Sequence, residues 1–316
     1  MKIIFNKSAR MRKSLFFLLT LLLILTACSP AGSPVETDRL QVVATTTLIG
    51  DVVGQVGGEL IELTVLLPPG ADPHSYQPNP QDLAVASRTG LIFINGLGLE
   101  EFMTGLLEGA GVVAEPVSVS DGIQPLQLAE PEAGEEAEHG GQDPHVWTDP
   151  NNVLIWVDNI ERALAAADPA NAALYAANAE SYRQSLRELD EWVRQQVSSI
   201  PVENRRLVSD HLIWGYFAER YGFTQVGALI PGYSTSAAPS AQELAALEDA
   251  VRAEGVKAIL VSSEINPSLA QRLAEDTGIE LVLIYSGSLG GPGSGVESYL
   301  DYIRYTVSAA VAALAD

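Results

Sequence analysis

Histidine is scarce in this 316-residue chain, and three of its four copies stand where a metal could be captured. His74 closes Ala71-Asp72-Pro73-His74, His145 sits in Asp143-Pro144-His145-Val146-Trp147, and His211 in Ser209-Asp210-His211. Neutral imidazole is the commonest protein ligand for a borderline-soft divalent cation. Each of the three falls just past a candidate strand and beside Asp or Pro, not inside an apolar stripe. The three segments lie far apart in the chain, so they define one binding point only if the fold gathers them. The fourth copy, His139, lies in Ala129–Gly141, which carries five Glu and almost nothing that could be buried. Such a segment is expected to be solvated. His139 is therefore read as a transient cation-catching group at most, not a stable ligand.

The elements that must do the gathering are apolar runs suited to buried strands: Gln41–Ile49, Glu62–Leu67, Leu91–Ile94, Val112–Val119, Arg206–Ser209, Gln225–Ile230, Val256–Ser262 and Glu280–Tyr285. Helix-like stretches alternate with them, among them Asn79–Ser87, Ser240–Glu254 and Pro267–Thr277. Asn79-Pro80 and Asn266-Pro267 pair a capping residue with Pro in a first helical turn. The alternation predicts an α/β protein with parallel sheets flanked by helices. The middle differs. Tyr175, Ala179, Tyr182, Leu186, Leu189, Val193 and Val197 are spaced 4-3-4-3-4-4, one apolar face of a helix. Such a helix of about 30 residues would be roughly 45 Å long. It is read as a rigid connection, over residues 168–200, between lobes at 39–167 and 201–316; a coiled-coil dimer is the other use of such a stripe. Ligands of open α/β sheets collect beyond the carboxyl ends of strands, so a cleft between the lobes is the expected location.

Residues 1–27 hold five basic residues, no acidic one, and an apolar run from Leu15 to Leu25. The run is too short for a permanent span and reads as a secretory signal. Leu25-Thr26-Ala27-Cys28 resembles a bacterial lipoprotein processing box, which makes Cys28 the lipidation site. As the chain's single Cys it can form no internal disulfide. Residues 28–38 read as a flexible tether. After cleavage at Cys28 the chain keeps 13 basic residues against 40 acidic ones, a formal charge of −27. That field argues against a nucleic-acid partner.

The chain resembles the solute-binding lipoproteins of zinc and manganese ABC importers. The likeness rests on Asp72-Pro73-His74-x-Tyr76-x-Pro78, Asp143-Pro144-His145-x-Trp147-x-Asp149-Pro150 with the acidic insert before it (129–143), His211-x-x-x-Gly215-Tyr216-Phe217-x-x-Arg220-Tyr221-Gly222, and Gly290-Gly291-Pro292-Gly293-Ser294-Gly295 followed by Tyr299. It implies two α/β lobes joined by one long helix. It also implies a monomeric, extracytoplasmic, lipid-anchored receptor that hands metal to a permease and its ATPase, without enzymatic activity. His74, His145 and His211 carry over as ligands. In many zinc binders of the family the third ligand is His, and in many manganese binders it is Glu, so His211 favours Zn2+ over Mn2+; imidazole softness points the same way. One departure stands out: Gly287, in Tyr285-Ser286-Gly287-Ser288-Leu289, occupies the place of a fourth, Asp ligand. Glu264, after Ile259-Leu260-Val261, is the nearest substitute; a water or anion is the other. Glu264 also reads as a helix-start residue or an acceptor behind the ligands. Three His with an open position is equally the plan of a catalytic zinc centre, but no His-Glu-x-x-His marker accompanies it. A surface adhesion lipoprotein with a structural metal is the third reading.

Overall fold

The inner strands of the first sheet, Leu40–Ala44 and Leu91–Ile94, are short and mostly apolar on both faces, as parallel strands covered by helices must be. The computed structural model describes residues 39–100, 102–111, 115–127 and 141–315. The signal segment (1–27), Cys28 with the tether (28–38), and His139 with most of the acidic insert lie outside the described residues. In order, the first lobe runs β1 (Leu40–Ala44), α1 (Thr47–Gly57), β2 (Ile61–Val65), α2 (Pro80–Ala86), β3 (Leu91–Ile94), α3 (Phe102–Ala110) and β4 (Val117–Ser118). The strands are parallel in the order β2-β1-β3-β4. β1 stops at Ala44, short of the apolar run's end, because the Thr46 side chain accepts from the Ile49 N–H and starts α1. α2 opens on a reciprocal cap: Asn79 Oδ1 accepts from Gln81 and Asp82, and Asp82 accepts from the Asn79 N–H.

Two helices follow, α4 (Pro150–Ala167) and α5 (Ala172–Val197). Asp149 caps α4 and Pro150 fills its first turn. The long helix is thus shorter than the 168–200 span read from the sequence. Pro169–Asn171 forms a separate 3-10 turn, and the chain turns out again at Ser198. Twenty-six residues still give about 39 Å. All seven residues of its apolar stripe are buried, against α1 and α4 and against the last helix of the chain. The stripe is thereby covered within one chain.

The second lobe repeats the plan: β5 (Arg206–Ser209), α6 (Gly215–Tyr221), β6 (Thr224–Ala228), α7 (Ala241–Glu254), β7 (Ala258–Ser262), α8 (Ser268–Thr277), β8 (Glu280–Ile284) and α9 (Tyr299–Leu314). Its sheet is also parallel, in the order β6-β5-β7-β8. Every residue of β7 is buried. α8 begins one residue later than expected, at Ser268 and not at Pro267, with Asn266 Oδ1 accepting from the Ser268 N–H at 3.0 Å. One continuous apolar core runs from Val42 and Phe93 through Trp156 and Leu186 to Leu207 and Ile284, so both sheets rest on the same helical layer. The architecture is a two-lobed α/β fold. Among the described residues no helix is long and apolar enough to cross a membrane.

Candidate metal centre

His74, His145 and His211 are brought together. Each lies in a segment beyond the carboxyl ends of the sheets, where the chain must leave regular structure. His145 Nε2 lies 3.2 Å from His74 Nε2 and 3.2 Å from His211 Nε2. One ligand atom from each of the three falls within 4.8 Å of the others, and among the described residues this is the cluster of His, Cys and carboxylate groups that could hold a metal. His145 and His211 are buried and His74 is half-buried. Three nitrogen lone pairs turned toward one point repel one another unless a proton or a cation lies between them.

Each imidazole is held by its own chain segment. After β2, Pro68-Pro69-Gly70 turns the backbone, with Gly70 at φ +77°, a conformation that favours glycine. Asp72 then accepts from the His74 N–H at 3.0 Å. Asp143 Oδ1 accepts from the His145 backbone N–H (2.9 Å) and faces Nδ1 (2.8 Å). Asp210 Oδ1 does the same for His211, at 2.9 Å and 3.1 Å. A carboxylate on Nδ1 keeps the proton there and leaves the Nε2 lone pair free for a metal. Burial pushes the Asp143 carboxyl up to about 8, against the pull of the His145 N–H and of His211. Burial lowers the pKa of His211, but the Asp210 charge and hydrogen bond outweigh it and the net shift is upward.

Sequence reasoning missed the residues that support these ligands. Asn95, at the end of β3, donates to the Pro144 carbonyl at 3.0 Å, one residue before His145. Asn95 is itself held by the buried Glu100, which accepts from the Asn95 N–H (2.6 Å), Thr45 Oγ1 (2.7 Å) and the Gly96 N–H (3.1 Å). The turn Gly96-Leu97-Gly98, with φ of 83°, 55° and 82°, folds Glu100 back onto Asn95. The only hint in the sequence was the Gly-x-Gly pair. Asp143, where the acidic insert (129–143) meets the Asp143-Pro144-His145 motif, is fully buried. Gln142 pairs with Gln127 in a bridge, and Tyr216 donates to the Asp143 carbonyl at 2.8 Å, which draws this end of the insert into the body.

The second lobe reaches across to the first. Thr235 donates to Asp72 at 2.5 Å, Gly70 N–H donates to Ser288 Oγ at 2.9 Å, and Trp147 Nε1 donates to the Ser286 carbonyl at 2.9 Å. Gly287 faces Pro73: a Cβ there would stand 2.9 Å from Pro73 Cδ. A side chain at 287 therefore has no room without moving the residue next to His74. Glu264 lines the same small cavity as the three histidines but is not part of the ligand-atom cluster.

A family model described as zinc-uptake complex component A, periplasmic, matches residues 42–313. The manganese-binding lipoprotein MntA of Halalkalibacterium halodurans is 33% identical over 302 residues, 95% of this chain and 97% of that one. The metal ABC transporter substrate-binding lipoprotein FimA of Streptococcus parasanguinis is 30% identical over 294 residues, covering 91% and 93%. The periplasmic zinc-binding protein TroA of Treponema pallidum superposes with a TM-score of 0.79 at 28% identity, over 88% of this chain and all of that one.

Proposed function

The chain belongs to the zinc-uptake component A family of metal ABC transporter substrate-binding proteins, and from that premise we propose that its cargo is Zn2+, held between the lobes by His74, His145 and His211. The observation that carries this reading is the convergence of the three imidazoles: His145 Nε2 lies 3.2 Å from both His74 Nε2 and His211 Nε2, and one ligand atom of each falls within 4.8 Å of the others. At the usual Zn–N distance, two nitrogens on one tetrahedral zinc stand about 3.3–3.4 Å apart. The donor set is all imidazole, which suits zinc; carboxylate and water suit manganese. The alternative of a zinc hydrolase is not favoured, because MntA is named as a manganese-binding lipoprotein and FimA as a metal ABC transporter substrate-binding lipoprotein, neither as an enzyme. The protein binds and releases its metal and transforms nothing.

In this reading Asp143 and Asp210 fix the two buried imidazoles and compensate part of the cation's charge. The Thr235–Asp72 and Gly70–Ser288 contacts hold the lobes on either side of the ion. Delivery to a permease and its ATPase, and anchoring of the chain by a lipid on Cys28, complete the proposal. Competition dialysis of the metal-free protein against equal Zn2+ and Mn2+ tests the cargo. Zinc should be taken up reversibly, at one ion per chain and in preference to manganese. Preferential manganese uptake would overturn the choice of metal, and no saturable uptake of either would overturn the site.

A further inference from the structure

We propose that Glu264 sets metal choice from outside the coordination sphere, by accepting a hydrogen bond from the fourth, exchangeable ligand of the cation; the proposal rests on the three-histidine site above. Glu264 follows β7 and lines the cavity with His74, His145 and His211. That cavity has about 10 Å³ of free volume, the scale of one water molecule.

Four donors fix the carboxylate. Oε2 accepts from Ser262 Oγ at 2.7 Å, Ser286 Oγ at 3.2 Å and the Gly287 N–H at 3.1 Å, and Oε1 accepts from the Ser288 N–H at 3.1 Å. A carboxylate has about four acceptor positions over its two oxygens. With Oε2 carrying three donors and Oε1 one, the spare capacity lies on Oε1. Ser262 links this anion to a ligand's support: its N–H donates to Asp210 Oδ2 at 3.0 Å, while Asp210 Oδ1 faces His211 Nδ1. Neither Glu264 oxygen joins the atoms that lie within 4.8 Å of one another. A side chain at position 287 would require Pro73 to move, because a Cβ there would meet it at 2.9 Å and 3.2 Å.

Three neutral imidazoles bring no charge to a dication in a poorly solvated pocket, and Asp143 and Asp210, behind two of them, offset only part of it. A fixed anion one water away compensates that charge and orients the water. Space for one small ligand completes four-coordination, which zinc accepts. Manganese favours an octahedral, oxygen-rich shell, which three imidazoles and one small ligand do not provide. Glu264 and the size of the pocket thus act together to favour zinc.

The test uses the full mature chain, its E264Q, E264D and H145A variants, Co2+ as a spectroscopic reporter, and Zn2+/Mn2+ competition, with thermal melts of the metal-free proteins to confirm folding. E264Q should keep the intense visible absorption of four-coordinate Co2+. Its zinc affinity should fall by about 10–100-fold, the range seen when a group supporting the ligands is lost, with a smaller loss for Mn2+. E264D should recover part of the zinc preference. An unchanged Zn:Mn ratio in E264Q, no recovery in folded E264D, or a changed Co2+ coordination number in E264Q would each overturn the proposal. H145A separates the two claims: if it binds zinc as the wild type does, the three-histidine site itself is wrong.

Discussion

Replacing Gly215 with alanine puts a methyl group where the Asp143 carboxylate already sits. A Cβ at 215 would lie 2.7 Å from Asp143 Oδ2 and 3.2 Å from Leu126 Cδ1, whereas ordinary contact begins at 3.4 Å. Asp143 must then retreat by about 0.7 Å. A retreat of that size along the Oδ1–Nδ1 line would stretch its hydrogen bond to His145 Nδ1, now 2.8 Å, to about 3.5 Å, where it ceases to be one. Losing the group that orients a metal-binding imidazole weakens metal affinity by about 10–100-fold, or about 1.4–2.7 kcal/mol. Gly215 opens α6, where alanine is at least as good a helix residue, so the local helix should not suffer. Calorimetric zinc titration of wild type, G215A, D143N and the double variant is the assay. G215A should lose affinity, and the double variant should be little worse than D143N, because both changes act through one contact. A folded G215A that binds zinc within about twofold of wild type would refute the chain of reasoning from Gly215 through Asp143 to His145.

His74→Ala, His145→Ala and His211→Ala should each weaken zinc binding by at least a hundredfold, while His139→Ala should leave equilibrium affinity unchanged; the same calorimetry reads all four. Zinc affinity should fall steeply from neutral pH toward about 5, by more than one proton's worth, since bound imidazoles must be neutral. The sign follows from His211: its pKa is raised above the ordinary value, so protons compete at a higher pH than for a free imidazole. A flat affinity across that range would count against the imidazole site. Asp190 lies on α5 and accepts from Tyr221 (2.8 Å), Asn151 (3.0 Å) and Arg194 (3.0 Å). Burial raises its pKa, but these bonds and Arg220 outweigh burial and hold the carboxyl below its usual range. Its contribution is therefore present above the unfolded pKa of about 3.9 and lost as pH falls through the folded value. D190N should lower stability by about 1–3 kcal/mol at pH 7, and the gap between the two proteins in urea unfolding should narrow as pH falls below about 3.9.

Local chemistry was enough to fix much of this protein. The alternation of apolar runs and helical stretches marked the α/β class, because a strand covered on both faces needs near-continuous Val, Ile and Leu whatever its neighbours are. The 4-3-4-3-4-4 stripe from Tyr175 to Val197 marked the long helix, and every residue of that stripe is buried. The three histidines were visible as scarce ligands next to turn-forming Asp and Pro. Tertiary structure decided whatever depended on two distant segments meeting. Asp143 reads as the tail of an acidic insert until Tyr216 and His145 close over it. Glu100 and Asn95 carry no signature of their own, since most of their hydrogen bonds run through backbone groups that any sequence would offer. Gly287 looks like a missing ligand, and only the contact with Pro73 shows that the backbone there is packed too closely for a side chain. The spacing of residues along the chain selects candidate ligands, but the distance between their nitrogens is set by two sheets resting on one shared layer of helices.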